Sequence, residues 1–199
     1  MTVRIILAST SQIRQSLLRS ACVPFDAIAP QVDEQAVKSA LLSEGAAPRD
    51  IADALAEMKA RKISQRCGDA LVIGCDQVLA LEGRLLSKPA TMDDAATQLT
   101  QMRGKAHHLI SAAVICENGA PVWRHAGVVK MQMRDVSDTY INQYVARNWT
   151  SIRHSVGAYK LEEEGVRLFE RITGDHFHVL GLPLLEVLGF LTTRGALEA

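Results

Sequence analysis

The sequence predicts an α/β fold with a mixed central sheet flanked by helices, and three observations carry that prediction. Apolar runs of strand length alternate with amphipathic stretches of helical period along nearly the whole chain. Two long strand-like runs meet at Asn118-Gly119, which sets an antiparallel hairpin among the alternating units. No internal repeat and no Ser/Gly-rich linker interrupts the 199 residues, so residues 1–199 read as one domain.

The elements follow in order. Residues 3–8 form a short buried strand, and Ser9-Thr10-Ser11 offers N-cap hydroxyls for a helix over 12–21 with Ile13, Leu17 and Leu18 on one face. A second strand is expected over 25–29, ended by Pro30, with Asp33-Glu34 in the turn that follows. A short helix spans 35–43 and closes at Gly45. Pro48 suits the first turn of a longer helix reaching about Arg66, striped by Ile51, Leu55, Met58 and Ile63. The run ALVIGC, 70–75, is a strand of the fully buried kind that ends at Asp76. Segments 78–81 and 84–86 flank Glu82-Gly83 as a hairpin. Residues 91–102 are helical, with Asp93 and Asp94 where the helix dipole favours anions. The long strands cover 108–116 and 122–133, Ser137 caps a helix to about Asn148, and a last helix spans 183–193.

Composition excludes several classes. Hydrophobic residues make up 48% and charged residues 22%, an ordinary globular balance that argues against disorder. Lys and Arg number 22, as do Asp and Glu, so the basic surplus that long nucleic acids attract is missing, whereas a local pocket for a small anion is still allowed. The opening residues lack the apolar core of a signal peptide, and no apolar run is long enough to span a membrane. Cys22, Cys67, Cys75 and Cys116 are widely spaced without a CxxC pair, as expected of free thiols in a reducing cytoplasm.

Four sets of residues could carry chemistry, and each has a plainer alternative. Ser9-Thr10-Ser11 aims hydroxyls and amides at the N-terminus of a helix whose first turn carries Arg14, an arrangement suited to phosphate, although serines cap helices everywhere. Asp76 sits at the carboxyl end of a buried strand, where α/β proteins bind ligands and where turns also form; Gln77 beside it is polar where a strand prefers an apolar residue. Asp33-Glu34 is either a solvated turn or, with Asp76, part of an oxygen-ligand site for Mg²⁺. Lys59 and Lys88 are surface lysines or anion ligands, and Pro89 fixes the backbone from which Lys88 starts. The six histidines form no HExxH motif, His176-x-His178 being the nearest approach to a ligand pair. No P-loop, GxGxxG or GxSxG is present.

In order along the chain, these fragments resemble the Maf family. Ala8-Ser9-Thr10-Ser11-Gln12-Ile13-Arg14 is similar to its A-S-x-S-P-x-R opening, and Val32-Asp33-Glu34 to its V-D-E. Lys59-Ala60 matches a helical K-A, Gly74-Cys75-Asp76-Gln77-Val78 the G-x-D-x-V, and Ser87-Lys88-Pro89 the G-K-P. Gly104-Lys105-Ala106-His107, Gly157-Ala158-Tyr159, Leu168-Phe169-Glu170, Gly174-Asp175 and the run 179–184 extend the likeness through the tail. Gln12 departs from the family's proline, and Ile13 from a position that is often basic or aromatic. The resemblance implies two lobes with a cleft, as in inosine triphosphatase-like folds. It implies a cytoplasmic hydrolase that cuts a nucleoside triphosphate between its α- and β-phosphates. Mg²⁺ or Mn²⁺ would be held by Glu34 and Asp76, with Asp76 as proton acceptor, and Ser11, Arg14, Lys59 and Lys88 would bind the triphosphate. The Asp76-Gln77 pair with Glu162 resembles the subgroup acting on 7-methyl-GTP more than the one acting on dTTP and UTP, and Ile13 would lie near the substrate. A homodimer is also implied, and a nucleotide-binding regulator of division is the reading from another class.

Overall fold

The computed structural model describes residues 3–198. Its seven strands are β1 (Arg4–Ala8), β2 (Asp26–Ala27), β3 (Ala70–Leu81), β4 (Arg84–Leu86), β5 (Ala106–Glu117), β6 (Ala120–Met133) and β7 (Phe169–Thr173). Its helices are α1 (Gln12–Ser20), α2 (Glu34–Ser43), α3 (Pro48–Ser64), α4 (Met92–Met102), α5 (Asp138–Ile152), α6 (His176–Val179) and α7 (Leu184–Thr193), with short 3₁₀ turns at Val156–Ala158 and Glu164–Leu168. The strands form one mixed sheet in the order β2-β1-β3-β5-β6-β7, with β4 paired to β3. β1 runs parallel to β2 and β3, whereas β4 is antiparallel to β3 and β7 to β6. The expected mixed α/β architecture is therefore the observed one.

Helix starts follow the caps. Ser11, Asp33, Thr91 and Ser137 each accept a backbone N–H three residues on, and Thr91 with Asp94 completes a reciprocal capping box. Both two-residue hairpins turn through residues of positive φ, Glu82-Gly83 and Asn118-Gly119, the backbone twist that matches paired strands.

The chain groups into two compact units. One comprises the described residues up to Gln77, Ser111–Gly127 and the residues from Gly181 onward; the other comprises Val78–Ile110 and Val128–Leu180. The long strands β3, β5 and β6 carry the chain from one unit to the other, which is why no flexible linker marks the division in the sequence. In the first unit β1, the start of β3 and the end of β5 are almost wholly buried, as are Ile51, Leu55 and Ile63 of α3. In the second, Leu79, Leu99, Met102, Leu109, Met131, Tyr144 and Phe169 belong to one apolar core. No helix among the described residues is long and apolar enough to cross a membrane.

Three expectations change. β3 continues through Asp76 and Gln77 to Leu81, so Asp76 lies inside a strand and not at its end. Glu34 is the first residue of α2 and Asp33 its cap, so the pair opens a helix where a turn was expected. The strand expected over 25–29 contracts to Asp26–Ala27, the two residues that pair with Ile6 and Leu7.

Candidate active site

The site grows from a close approach of helix to strand in the first unit. At Gly74 of β3, a Cβ would stand 2.1 Å from the Ala56 carbonyl oxygen and 2.6 Å from the Ala60 amide nitrogen. Only glycine lets α3 lie that close, and α3 presents the short side chains of Ala56 and Ala60 there. The consequence falls on the flanking positions. Lys59 precedes Ala60, and Asp76 lies two residues beyond Gly74 on the same face of the strand.

Lys59 Nζ donates to Asp76 Oδ1 at 2.5 Å and forms an ion pair with Glu34 Oε1 at 2.9 Å. The Lys59 and Asp76 side chains are only 6% and 9% exposed, while that of Glu34 is 48% exposed. Charges this buried are tolerated because they are paired. The cluster is thus dry on the strand side and wet where α2 begins. Two carboxylates thus converge on one cationic centre, the Lys59 ammonium. As hard oxygen donors they fit Mg²⁺ or Mn²⁺, which takes few protein carboxylates and completes its shell with water and substrate phosphate.

Arg14 braces the same strand. Its Nε donates to the Gly181 carbonyl at 2.7 Å and its Nη1 to the Cys75 carbonyl at 2.9 Å, directly before Asp76. Gly181 has φ +87, and a Cβ there would stand 3.2 Å from Arg14 Nη2, so the guanidinium packs against bare backbone. The rest of the guanidinium fork and the amides of the first α1 turn supply the donors a helix N-terminus leaves for an anion. Ser11 caps that turn, and Ser9 Oγ accepts the Ser11 amide at 3.2 Å. Ile13 is half-buried in α1. Burial pushes the Cys75 thiol up to about 11, leaving it a poor nucleophile.

Gln77, half-buried on β3, donates its amide to Ser111 Oγ of β5 at 2.9 Å. The structure therefore brings Glu34, Lys59 and Asp76 together, and sets Ser11, Arg14 and Gln77 on the segments adjoining them. Lys88 and Glu162 belong to the second unit. Lys88 is exposed just after β4, beside buried Pro89, and Glu162 is exposed in a turn. Sequence reasoning passed over Ser111, Gly181 and the spacing role of Gly74. A glycine inside a buried apolar strand was the available signal for the last.

The second unit buries polar groups of another kind. His107 is wholly buried, 2.8 Å from the Tyr159 hydroxyl, with its ring against Tyr159 and Phe169. Its Nδ1 has no hydrogen-bond partner among the described residues. One ring nitrogen and the hydroxyl therefore share a single hydrogen bond inside the apolar core. Burial lowers the imidazole to about 4 and raises the Tyr159 phenol well above its ordinary value.

Known proteins resemble this chain in sequence and in fold. A family model described as Maf-like protein matches residues 4–194. The chain is 64% identical over 198 residues, 100% of both chains, to a Ruegeria pomeroyi protein named nucleoside triphosphate pyrophosphatase. It is 45% identical over 195 residues, 98% of each chain, to a Rhizobium meliloti protein named 7-methyl-GTP pyrophosphatase. A solved HAM1 protein from Coxiella burnetii matches with a TM-score of 0.53 at 16% identity, covering 96% of this chain and 99% of that one, a likeness of fold alone.

Proposed function

The chain belongs to the Maf-like protein family, and from that premise we propose how it acts as a nucleoside triphosphate pyrophosphatase, and on which base. The reaction takes a nucleoside triphosphate and water to the monophosphate and pyrophosphate: water bonds to the α-phosphorus, and the bond to the bridging oxygen breaks. The observation that carries this reading is the convergence of buried Lys59 and Asp76 with half-exposed Glu34 beside a capped helix N-terminus.

Phosphoryl-type transfer is catalysed mainly by positioning and by neutralising charge. Glu34 and Asp76 would hold Mg²⁺ or Mn²⁺, which supplies Lewis-acid polarisation of the phosphate when bound. Asp76, fixed inside a rigid strand, takes the proton of the attacking water. Lys59, Arg14 and Ser11 bind the triphosphate, with the first-turn amides of α1 beside them. Lys88 is proposed as a further phosphate ligand.

The base proposed is 7-methylguanine. Gln77 follows the catalytic carboxylate in sequence, and Glu162 offers a group that only accepts hydrogen bonds. Guanine presents two neighbouring donors, N1–H and N2–H, to such a group. Methylation at N7 makes the ring cationic, which strengthens the attraction to an ionised carboxylate. Relatives named for this substrate, such as the Rhizobium meliloti protein, support the choice. The test compares kcat/KM for 7-methyl-GTP, GTP, dTTP and UTP, measured as pyrophosphate release, in wild type and Glu162→Gln. Wild type is expected to favour 7-methyl-GTP, and the substitution to erode that preference. A wild type that favours dTTP or UTP removes the base assignment alone, whereas silence across the whole panel removes catalysis and leaves a nucleotide-binding role.

A further inference from the structure

Lys59 places its ammonium where a cation between two carboxylates belongs, 2.9 Å from Glu34 Oε1 and 2.5 Å from Asp76 Oδ1. The lysine stem is enclosed by its own helix and by β3, and the half-exposed Glu34 side chain is the edge of the cluster open to water. Formal charges set the order of events. The trio carries a net −1; a divalent ion in place of the ammonium would make the two carboxylates and ion neutral. Ammonium and metal together between the same two oxygens would repel at close range in a half-dry setting. One of them must leave, and the flexible four-carbon stem of lysine makes it the one able to move.

We infer that Lys59 is a resident counter-cation which a divalent metal displaces. Loading of Glu34 and Asp76 and release of the Lys59 ammonium are a single exchange, and the released ammonium becomes available to a substrate phosphate. The inference rests on Glu34 and Asp76 being the metal ligands. It gives Lys59 two duties. Before metal arrives it keeps the carboxylates from repelling each other, so the site is preformed. It also holds down metal affinity in the absence of nucleotide, because the entering ion must first replace two charged contacts.

The experiment uses the whole protein without nucleotide. Free Mn²⁺ is followed by electron paramagnetic resonance during titration of wild type, Lys59→Met and the Lys59→Met/Asp76→Asn double variant. Methionine keeps the apolar stem and removes the charge. Expected is a tightening of Mn²⁺ binding in Lys59→Met on the order of tenfold, lost in the double variant. In parallel, wild type is reductively dimethylated with and without Mn²⁺, and lysine labelling is read by peptide mass spectrometry. Mn²⁺ is expected to raise labelling of Lys59 and to leave exposed Lys88 unchanged. Equal or weaker Mn²⁺ binding in Lys59→Met overturns the exchange, as does Lys59 labelling that Mn²⁺ leaves alone or lowers. Should Lys59→Met not fold, the labelling of wild type decides. If Mn²⁺ binds no variant in an Asp76-dependent way, the metal-ligand reading falls together with the exchange. Asp76-dependent binding that is indifferent to Lys59 removes the exchange only.

Discussion

In the first unit a buried pair, Lys59 with Asp76, is charged and joined by half-exposed Glu34. In the second a buried histidine is neutral and enclosed by rings, His107 with Tyr159 and Phe169. Both arrangements avoid an isolated buried charge, at opposite cost. The ion cluster stays charged and opens on water through Glu34, so it can exchange partners. The histidine gives up its charge and gains a fixed place in a core. A buried charge retained at such expense points to chemistry, while a buried group kept neutral points to architecture.

The sharpest way to break that contrast is Asp76→Asn. The amide keeps the size and can still accept from Lys59, so the fold should hold. Loss of the charge should lower kcat/KM for pyrophosphate release by at least about 10²-fold. Thermal melting near that of wild type, combined with this loss, is the expected pair of results. Turnover near wild type would mean that Asp76 is architectural as well.

The second unit is tested by acid. His107 titrates near 4 in the folded protein, against an ordinary value of 6.5. Between those values the unfolded chain binds the extra proton, so stability is full above the ordinary value and is lost as pH falls toward the folded one. The integrated loss attributable to this residue is roughly 3 kcal/mol. Denaturant unfolding from pH 7 to pH 4 should show it as a difference from His107→Phe, which lacks this component. The variant itself should be less stable at neutral pH, because the Tyr159 hydroxyl loses its partner. Parallel pH profiles for the two proteins would return His107 to an exposed or charged role.

The smallest effect belongs to a surface pair that resembles the first cluster only in composition. Arg147 donates to Glu164 at 2.7 Å, as does Asn148, and these contacts hold the carboxyl down to about 2. A depressed carboxylate stabilises the fold above its ordinary range, and that contribution fades as pH falls toward 2. Arg147 is half-exposed, so water and salt screen the pair. Glu164→Gln should cost no more than about 1 kcal/mol at pH 7, less in high salt, by thermal melting. A larger loss would show that burial is not what separates consequential ion pairs from incidental ones.

Much of the fold could be read from the chain because local signals decide it. The caps at Ser11, Thr91 and Ser137 and the turns at Glu82-Gly83 and Asn118-Gly119 act within a few residues. The misreadings share a cause. Asp76-Gln77 looks like a strand end because an isolated carboxylate disfavours a buried strand. The residue that neutralises it lies 17 positions earlier in a different element. Lys59 looks like a surface lysine until Gly74 draws its helix inward. The carbonyls that hold Arg14 are likewise out of local reach, 61 and 167 residues away. Asp33-Glu34, by contrast, looks like a solvated turn, whereas the Asp33 side chain caps α2 and Glu34 is its first residue, a local cap signal that the paired acids disguise.

The arginine clamp also gives the protein a timetable. Gly181 is synthesised 167 residues after the guanidinium it receives, and the segment holding Cys75 lies between them in time as in sequence. A growing chain emerges N-terminal end first, so α1 and β3 are made long before the carbonyl that completes the brace exists. Closing a loop of that span is slow and entropically costly compared with forming any helix or hairpin. The strand that carries Asp76 is therefore locked late. A partly made chain, with its hydroxyls and lysine already present, still lacks the carbonyl that completes the brace.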